Sequence, residues 1–358
     1  MPKKRRTEIS LLNVLFCLLV IFIHCISYPV SAFLPGSLSY TAVMLPWRMT
    51  SFVVPGFILL AGVKLFLTGK DTLPFSRYIK GRLRGVLLPY AVAFAVYYLV
   101  FAVFYDYPID ILFISKNFIL GSLVYHLYFI PILMQFDLLF PLWKRLLKNC
   151  SPLLVIPFAL LISGIFEMQF PSLLKGVFPD AEFLYNDRLF TTYLGYWLIG
   201  CYAGKYYGEF SEILQKNFRF ITAVFLSLFC VTAYYSYLAY NGISAVPALG
   251  WIHNLYVLSA ILFLYAWSLK KGAGIFEKIP LSSRLDSASF YIYLYHVLVL
   301  LGVDMLLGKL GIFAQGLSFL VRTVLVYTIT PALCIAYVAL KKKLQNIDIC
   351  RNLWYHKN

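Results

Sequence analysis

Charge is scarce in this chain. Only 13% of its 358 residues are Asp, Glu, Lys or Arg, while 61% are hydrophobic and the mean hydropathy is +0.79. A soluble domain carries about a quarter charged residues, so a soluble globular protein is excluded, as are disordered and collagen-like chains. Cysteine offers no framework either. The seven cysteines are scattered and contain no Cys-x-x-Cys pair, which argues against a disulfide scaffold or a zinc ribbon. There is no Gly-x-Ser-x-Gly elbow, no internal repeat and no low-complexity linker.

What is present is a series of long apolar runs. Windows near 9–29, 41–67, 86–105, 118–142, 152–167, 189–208, 218–238, 251–268, 287–306 and 318–340 are read as membrane spans. About twenty apolar residues cover the hydrocarbon core as a helix, and lipid leaves no other partner for the backbone of segments this long. The window at 152–167 is the shortest and contains Pro157. The expected fold is therefore all-α and polytopic, with one membrane-embedded domain over 1–343 and a short tail over 344–358.

The net charge of +16 is distributed in a way that sets the topology. Twenty-five Lys and Arg fall on one alternate set of loops and tails, against four on the other: Lys116, Lys175, Arg188 and Lys309. By the positive-inside rule both termini face the cytoplasm. The basic excess is thus topology, and no nucleic-acid partner is expected. The basic N-terminus, its apolar stretch and Val30-Ser31-Ala32 share the outline of a signal peptide, but the stretch is long and serves better as the first span.

Outside the spans, the loop at about 168–188 carries Lys175, Asp180, Glu182, Asp187 and Arg188 and is the natural lid or acceptor-contacting element. Gly200, Gly204 and Gly208 recur every four residues, which favours close helix packing over a ligand site.

Ionisable residues within a membrane are costly and so point to function. At 1.5 Å per residue, His24 lies about 22 Å from the inner start of its span, His126 about 12 Å below the outer surface, and His296 about 14 Å above the inner one. One such histidine is usually a satisfied packing residue; three at comparable depth favour a shared polar cavity. His24 is the catalytic candidate, because a neutral imidazole beside a hydroxyl acts as general base. Cys25 points about 100° away on the helix and does not form a Cys–His pair. Metal ligation by the three histidines stays open, although no metal is expected. Arg48 and Asp137 are read as the other embedded charges. Arg48 lies near a helix end and can snorkel, while Asp137 has Lys144 or Arg145 as nearby partners.

The cluster Arg77, Lys80, Arg82 and Arg84 opens the third span, with Gly81 and Gly85 around it. Topology accounts for its charge. Guanidinium groups at a helix N-terminus would also suit phosphate.

Six segments, in order along nearly the whole chain, resemble the acyltransferase 3 family of integral membrane acyltransferases. They are Leu19-Val20-Ile21-Phe22-Ile23-His24, Val54-Pro55-Gly56-Phe57 through Gly62, and Tyr78-Ile79-Lys80-Gly81-Arg82-Leu83-Arg84 through Tyr90. The others are His126-Leu127-Tyr128-Phe129-Ile130 with Pro141, Leu194-Gly195-Tyr196-Trp197 through Gly200, and Ser289-Phe290-Tyr291 through His296. Three departures stand out: Tyr128 where the family has Trp, Ala61 where it has Ser, and Asn13 where many members carry Arg or Lys eleven residues before the histidine.

The resemblance implies transfer of an acyl group, commonly acetyl, from acyl-coenzyme A on the cytoplasmic side. The implied acceptor is a hydroxyl of a cell-envelope glycan or lipid-linked sugar, modified in the cell membrane of a bacterium alongside envelope polysaccharide synthesis proteins. No bound cofactor is implied; acyl-coenzyme A is a substrate. On this reading His24 is the base, Arg82, Arg84 and Lys80 contact the donor, and Arg48, His126, His296 and Tyr291 line the acceptor cavity. A multi-pass transporter or flippase of polysaccharide precursors is the competing class. It would tolerate loss of Arg82 and Arg84 and should show paired broken helices, which the sequence does not display. A membrane scaffold would not need three embedded histidines.

Overall fold

The computed structural model describes residues 6–178, 184–312 and 314–355, with side chains through 345 except at 315. Lys3, Lys4, Arg5 and Lys357 of the charge pattern lie outside the described residues, as do Asp180 and Glu182. Within them the chain is all helix, with no strand.

In order, the helices are α1 (Thr7–Ala32), α2 (Leu38–Met49), α3 (Val53–Leu67), α4 (Phe75–Arg82), α5 (Leu88–Phe104), α6 (Ile111–Leu120), α7 (Phe129–Leu138) and α8 (Phe140–Asn149). There follow α9 (Pro152–Met168), α10 (Phe170–Val177), α11 (Leu194–Lys205), α12 (Tyr207–Lys216), α13 (Phe218–Tyr240), α14 (Leu249–Trp267), α15 (Ala273–Glu277), α16 (Ser282–Lys309) and α17 (Gln315–Tyr355).

Seven helical stretches among the described residues are long and apolar enough to cross a membrane: Thr7–Ala32, Leu38–Leu67, Phe75–Phe104, Phe218–Tyr240, Leu249–Glu277, Ser282–Lys309 and Gly316–Gln345. Each overlaps an expected window, although Phe75–Phe104 begins well before the window at 86–105 and Leu249–Glu277 runs well past that at 251–268. The other three windows take different forms. Residues 152–167 form α9, which with α10 makes a pair bent by 62°. Residues 189–208 begin as short 3₁₀ turns and give the 12-residue α11. Residues 118–142 are broken: α6 ends at Gly121, whose φ of +63° caps it in the left-handed region, and the chain turns before α7. Hydropathy does not see this break because the turn residues are themselves largely apolar. Non-helical backbone at membrane depth survives only when buried in protein, and Leu123, Val124, His126 and Leu127 are all buried.

The chain divides into two compact units. Unit 1 comprises Met1–Thr50, Tyr240–Gly242 and Trp267–Asn358; unit 2 comprises Ser51–Ala239 and Ile243–Ala266.

In unit 1, α1 packs along α16, with α17 against both. The contacts fix the directions. Asn13 meets Asp286 and Ser289, while eleven residues on His24 meets His296, so α1 and α16 run parallel. Asp304 pairs with Arg322, and Tyr291 with Lys341, so α17 runs antiparallel to α16. In unit 2, α11 packs on α3 at backbone distance. A Cβ at Gly62 would lie 2.7 Å from the Trp197 carbonyl oxygen, and Cβ atoms at Gly200 and Gly204 would collide with the carbonyl oxygens of Leu59 and Val63. The four-residue glycine spacing is thus a packing stripe at its first two members. Nothing lies within 4 Å of a Cβ at Gly208.

Candidate active site

The apolar run that makes α1 a span also carries His24 toward α16. The His24 and His296 rings stack with centroids 5.1 Å apart and planes 29° apart. The two differ in access. His296 is fully buried, whereas His24 is only half-buried. His296 is also anchored: its Nδ1 lies 2.8 Å from the Tyr293 carbonyl and 3.2 Å from that of Ile292. A carbonyl only accepts, so Nδ1 carries the proton, and a neutral ring in that tautomer presents Nε2 as acceptor. The pair therefore consists of one fixed, fully buried imidazole and one that is partly exposed.

Toward the start of the same helices, Asn13 Nδ2 donates to Asp286 Oδ1 at 2.9 Å and to Ser289 Oγ at 2.7 Å. Eleven residues on α1 and seven on α16 each return to within about 20° of the same helix face. Asn13, His24, Ser289 and His296 therefore share one seam. Cys17 on this seam donates to the Ser289 carbonyl.

Other expected residues of unit 1 lie elsewhere. Tyr291 sits about 140° around α16 from His296. Its hydroxyl accepts from Lys341 Nζ at 2.8 Å, and its ring meets Tyr337 edge-on, so it faces α17 and does not line the histidine pair. Arg48 is half-buried at the end of α2, with its guanidinium 5.8 Å from the Tyr240 ring centroid. Cys25 is buried, away from the His24–His296 stack.

In unit 2 the basic cluster has a different setting from the expected one. The helix begins at Phe75, and Leu83–Leu87 form a π-helical turn around Gly85 before α5. Arg82 and Arg84 therefore stand two turns inside a helical stretch, and the free backbone N–H groups of its N-terminus are not available beside them. Asp137 pairs with neither Lys144 nor Arg145. Its buried carboxylate accepts from Arg82 Nε at 2.6 Å and from the Tyr78 hydroxyl. Lys80 and Arg84 are exposed. Lys70, in the turn before α4, completes the neighbourhood; burial and then the Arg82 charge hold its ammonium below the ordinary lysine value, against the pull of Asp137.

His126, expected within a helix, sits instead in the turn between α6 and α7. It is 3% exposed, with Tyr97 and Tyr125 edge-on to its ring. The loop at about 168–188, expected as an external lid, is pinned where described. Gln135 Nε2 donates to the Arg188 carbonyl and Arg188 Nη1 to the Leu120 carbonyl, both at 2.8 Å. Among the described residues no group of three or more His, Cys, Asp or Glu is arranged to hold a metal ion.

Three polar residues were missed by the sequence reading. Asp286 carries no motif of its own, and Ser289 heads the segment that ends in His296 but was given no role there. Asp304 did carry a signal, an acid inside an apolar run. It pairs with the buried Arg322 at 2.6 Å, and Arg322 lies over the Tyr28 ring at 4.8 Å.

A family model describing an acyltransferase domain, that of acyltransferase 3, matches residues 6–339. The chain belongs to this family. It is a membrane acyltransferase, and both the histidine seam and the basic cluster fall within the matched region. No curated protein and no solved structure shows a significant match to the chain.

Proposed function

We propose that this acyltransferase moves an acyl group, acetyl in the first instance, from acyl-coenzyme A on the cytoplasmic side to a hydroxyl of a cell-envelope glycan or lipid-linked sugar. The bacterial plasma membrane is the proposed location. The observation that carries the reading is the histidine pair: a partly exposed His24 stacked on a buried, tautomer-fixed His296. Neutral His24 takes the proton of the acceptor hydroxyl as its oxygen bonds the thioester carbonyl carbon. The carbon–sulfur bond breaks, and the proton passes to the departing thiolate. General base catalysis of this kind is worth about 10²–10⁴-fold. Arg84, Lys80 and the terminal amino groups of Arg82 are the proposed contacts for donor phosphates through charge-assisted hydrogen bonds.

The test is thiol release by purified protein in nanodiscs, supplied with acetyl- or succinyl-coenzyme A and a broad glycan panel. Wild type should turn over, and His24→Ala and Arg84→Ala should lose turnover with the fold intact. Full turnover by His24→Ala would remove the assignment of the base. Absence of both turnover and coenzyme A binding in wild type would defeat the donor.

A further inference from the structure

A cleft of about 430 Å³ opens in unit 2 beside the basic cluster. Its walls come from Leu73, Pro74 and Phe75 at the start of α4, and from Phe140, Lys144, Arg145 and Lys148 on α8. Lys144, Arg145 and Lys148 bring three cations from little more than one helical turn, and no acidic residue lines the cleft. The aromatic wall is arranged in layers. Phe75 is 40% exposed and stacks at 6.5 Å on the buried Phe140, which in turn stacks at 4.1 Å on Tyr78. Tyr78 bonds Asp137, the partner of Arg82. The cleft is thus joined to the Arg82 site through one continuous set of contacts, and Phe75 precedes Arg82 by about 10 Å of helix.

Positive-inside topology explains three cations at a helix end. It does not explain a cavity of this size with an exposed aromatic face on one wall and all three cations on the other. An aromatic face suits a purine ring, and clustered Lys and Arg suit a phosphate dianion. We infer that this cleft seats the 3′-phosphoadenosine end of coenzyme A, with Phe75 under the adenine and Lys144, Arg145 and Lys148 around the 3′-phosphate. The inference rests on the donor reading above and extends it: recognition of the donor's 3′-phosphate lies on α8, outside the Arg82–Arg84 segment. An anionic lipid headgroup offers the same phosphate chemistry, so the experiment separates the two sources.

Binding of coenzyme A and of dephospho-coenzyme A, which lacks only the 3′-phosphate, is measured to protein in nanodiscs of phosphatidylcholine alone and with added phosphatidylglycerol. Wild type in the zwitterionic discs should bind coenzyme A about tenfold or more tightly than the dephospho form, the effect of one well-held charged contact. Arg145→Gln/Lys148→Gln, both exposed positions, should lose that preference while binding dephospho-coenzyme A within about twofold of wild type. Phe75→Ala should weaken both ligands together. Equal binding of the two ligands by wild type, or a variant that keeps the preference, overturns the inference and leaves acyl transfer standing. So does a variant that changes only the retention of phosphatidylglycerol, which would make the cleft a lipid site. Binding of neither ligand by wild type overturns the donor reading as well.

Discussion

Asn13 donates to Asp286 across 2.9 Å, on the helix face that carries His24 three turns further on. At the position where many family members hold a basic residue, this chain holds a neutral amide against a carboxylate. An Arg there would replace the hydrogen bond with an ion pair to the same partner. Asn13→Arg is therefore expected to fold normally and to release thiol at the wild-type rate or faster. Asn13→Leu should lower thermal stability by about 1 kcal/mol, because the half-exposed Asp286 loses a donor. A fall in turnover by Asn13→Arg with unchanged stability would show that the amide is not equivalent to the family's charge.

Arg82 is a compromised probe of donor binding because it also neutralises Asp137. Removing one partner of a buried ion pair costs about 3–5 kcal/mol, reduced here because Arg82 is partly exposed. Arg82→Ala should therefore lower the thermal midpoint in detergent, and Asp137→Asn in the same chain should recover much of the loss. Arg84→Ala, at an exposed position outside the ion pair, should leave the midpoint unchanged while weakening coenzyme A binding, and turnover with it. Equal midpoints for Arg82→Ala and wild type would mean that the pair holds nothing in place.

Most spans were legible in the sequence, because a continuous apolar run leaves a helix no alternative in lipid. The break at 121–128 was not, since an apolar turn buried in protein has the same hydropathy as a helix. It is marked only by Gly121, and there the glycine is required: a Cβ would meet the Tyr128 backbone. The candidate site was legible where a costly residue stood alone in an apolar run, as with His24 and His296. Its pairings were not. Asp137 finds Arg82 at a separation of 55 residues, and nothing local favours that partner over Lys144 seven positions away. The meaning of Asn13 was likewise hidden until Asp286 stood opposite it.

The glycine stripe makes a graded prediction. An added methyl at Gly200 or Gly204 meets a backbone carbonyl of α3, which cannot rotate away, so Gly200→Ala and Gly204→Ala should each destabilise by about 1–3 kcal/mol or fail to accumulate. Gly208→Ala meets open space and gains helix propensity, so it should be neutral or stabilising by up to about 1 kcal/mol. Thermal midpoints of the three variants in one detergent decide the matter. Equal behaviour at all three positions would reject the close approach of α3 and α11.

The two stacked histidines should fail differently when replaced. His24 is the partly exposed ring and the proposed base, so His24→Gln, which keeps polarity and rough size, is expected to lower kcat by about 10²–10⁴-fold with little change in stability. His296 is sealed in, and its loss acts through the ring stacked on it. His296→Phe retains an aromatic face 5.1 Å from His24 but gives up the Nδ1 bond to the Tyr293 carbonyl. Its expected effect is a fall of roughly tenfold in kcat with unchanged KM for both substrates, the signature of a base held less well in the transition state. Steady-state kinetics on the two variants and the double variant make the comparison. If His296 works only through His24, the double variant is no slower than His24→Gln alone. A further loss in the double variant would give His296 a role of its own in proton transfer, and the reverse ranking of the single variants would exchange the two assignments.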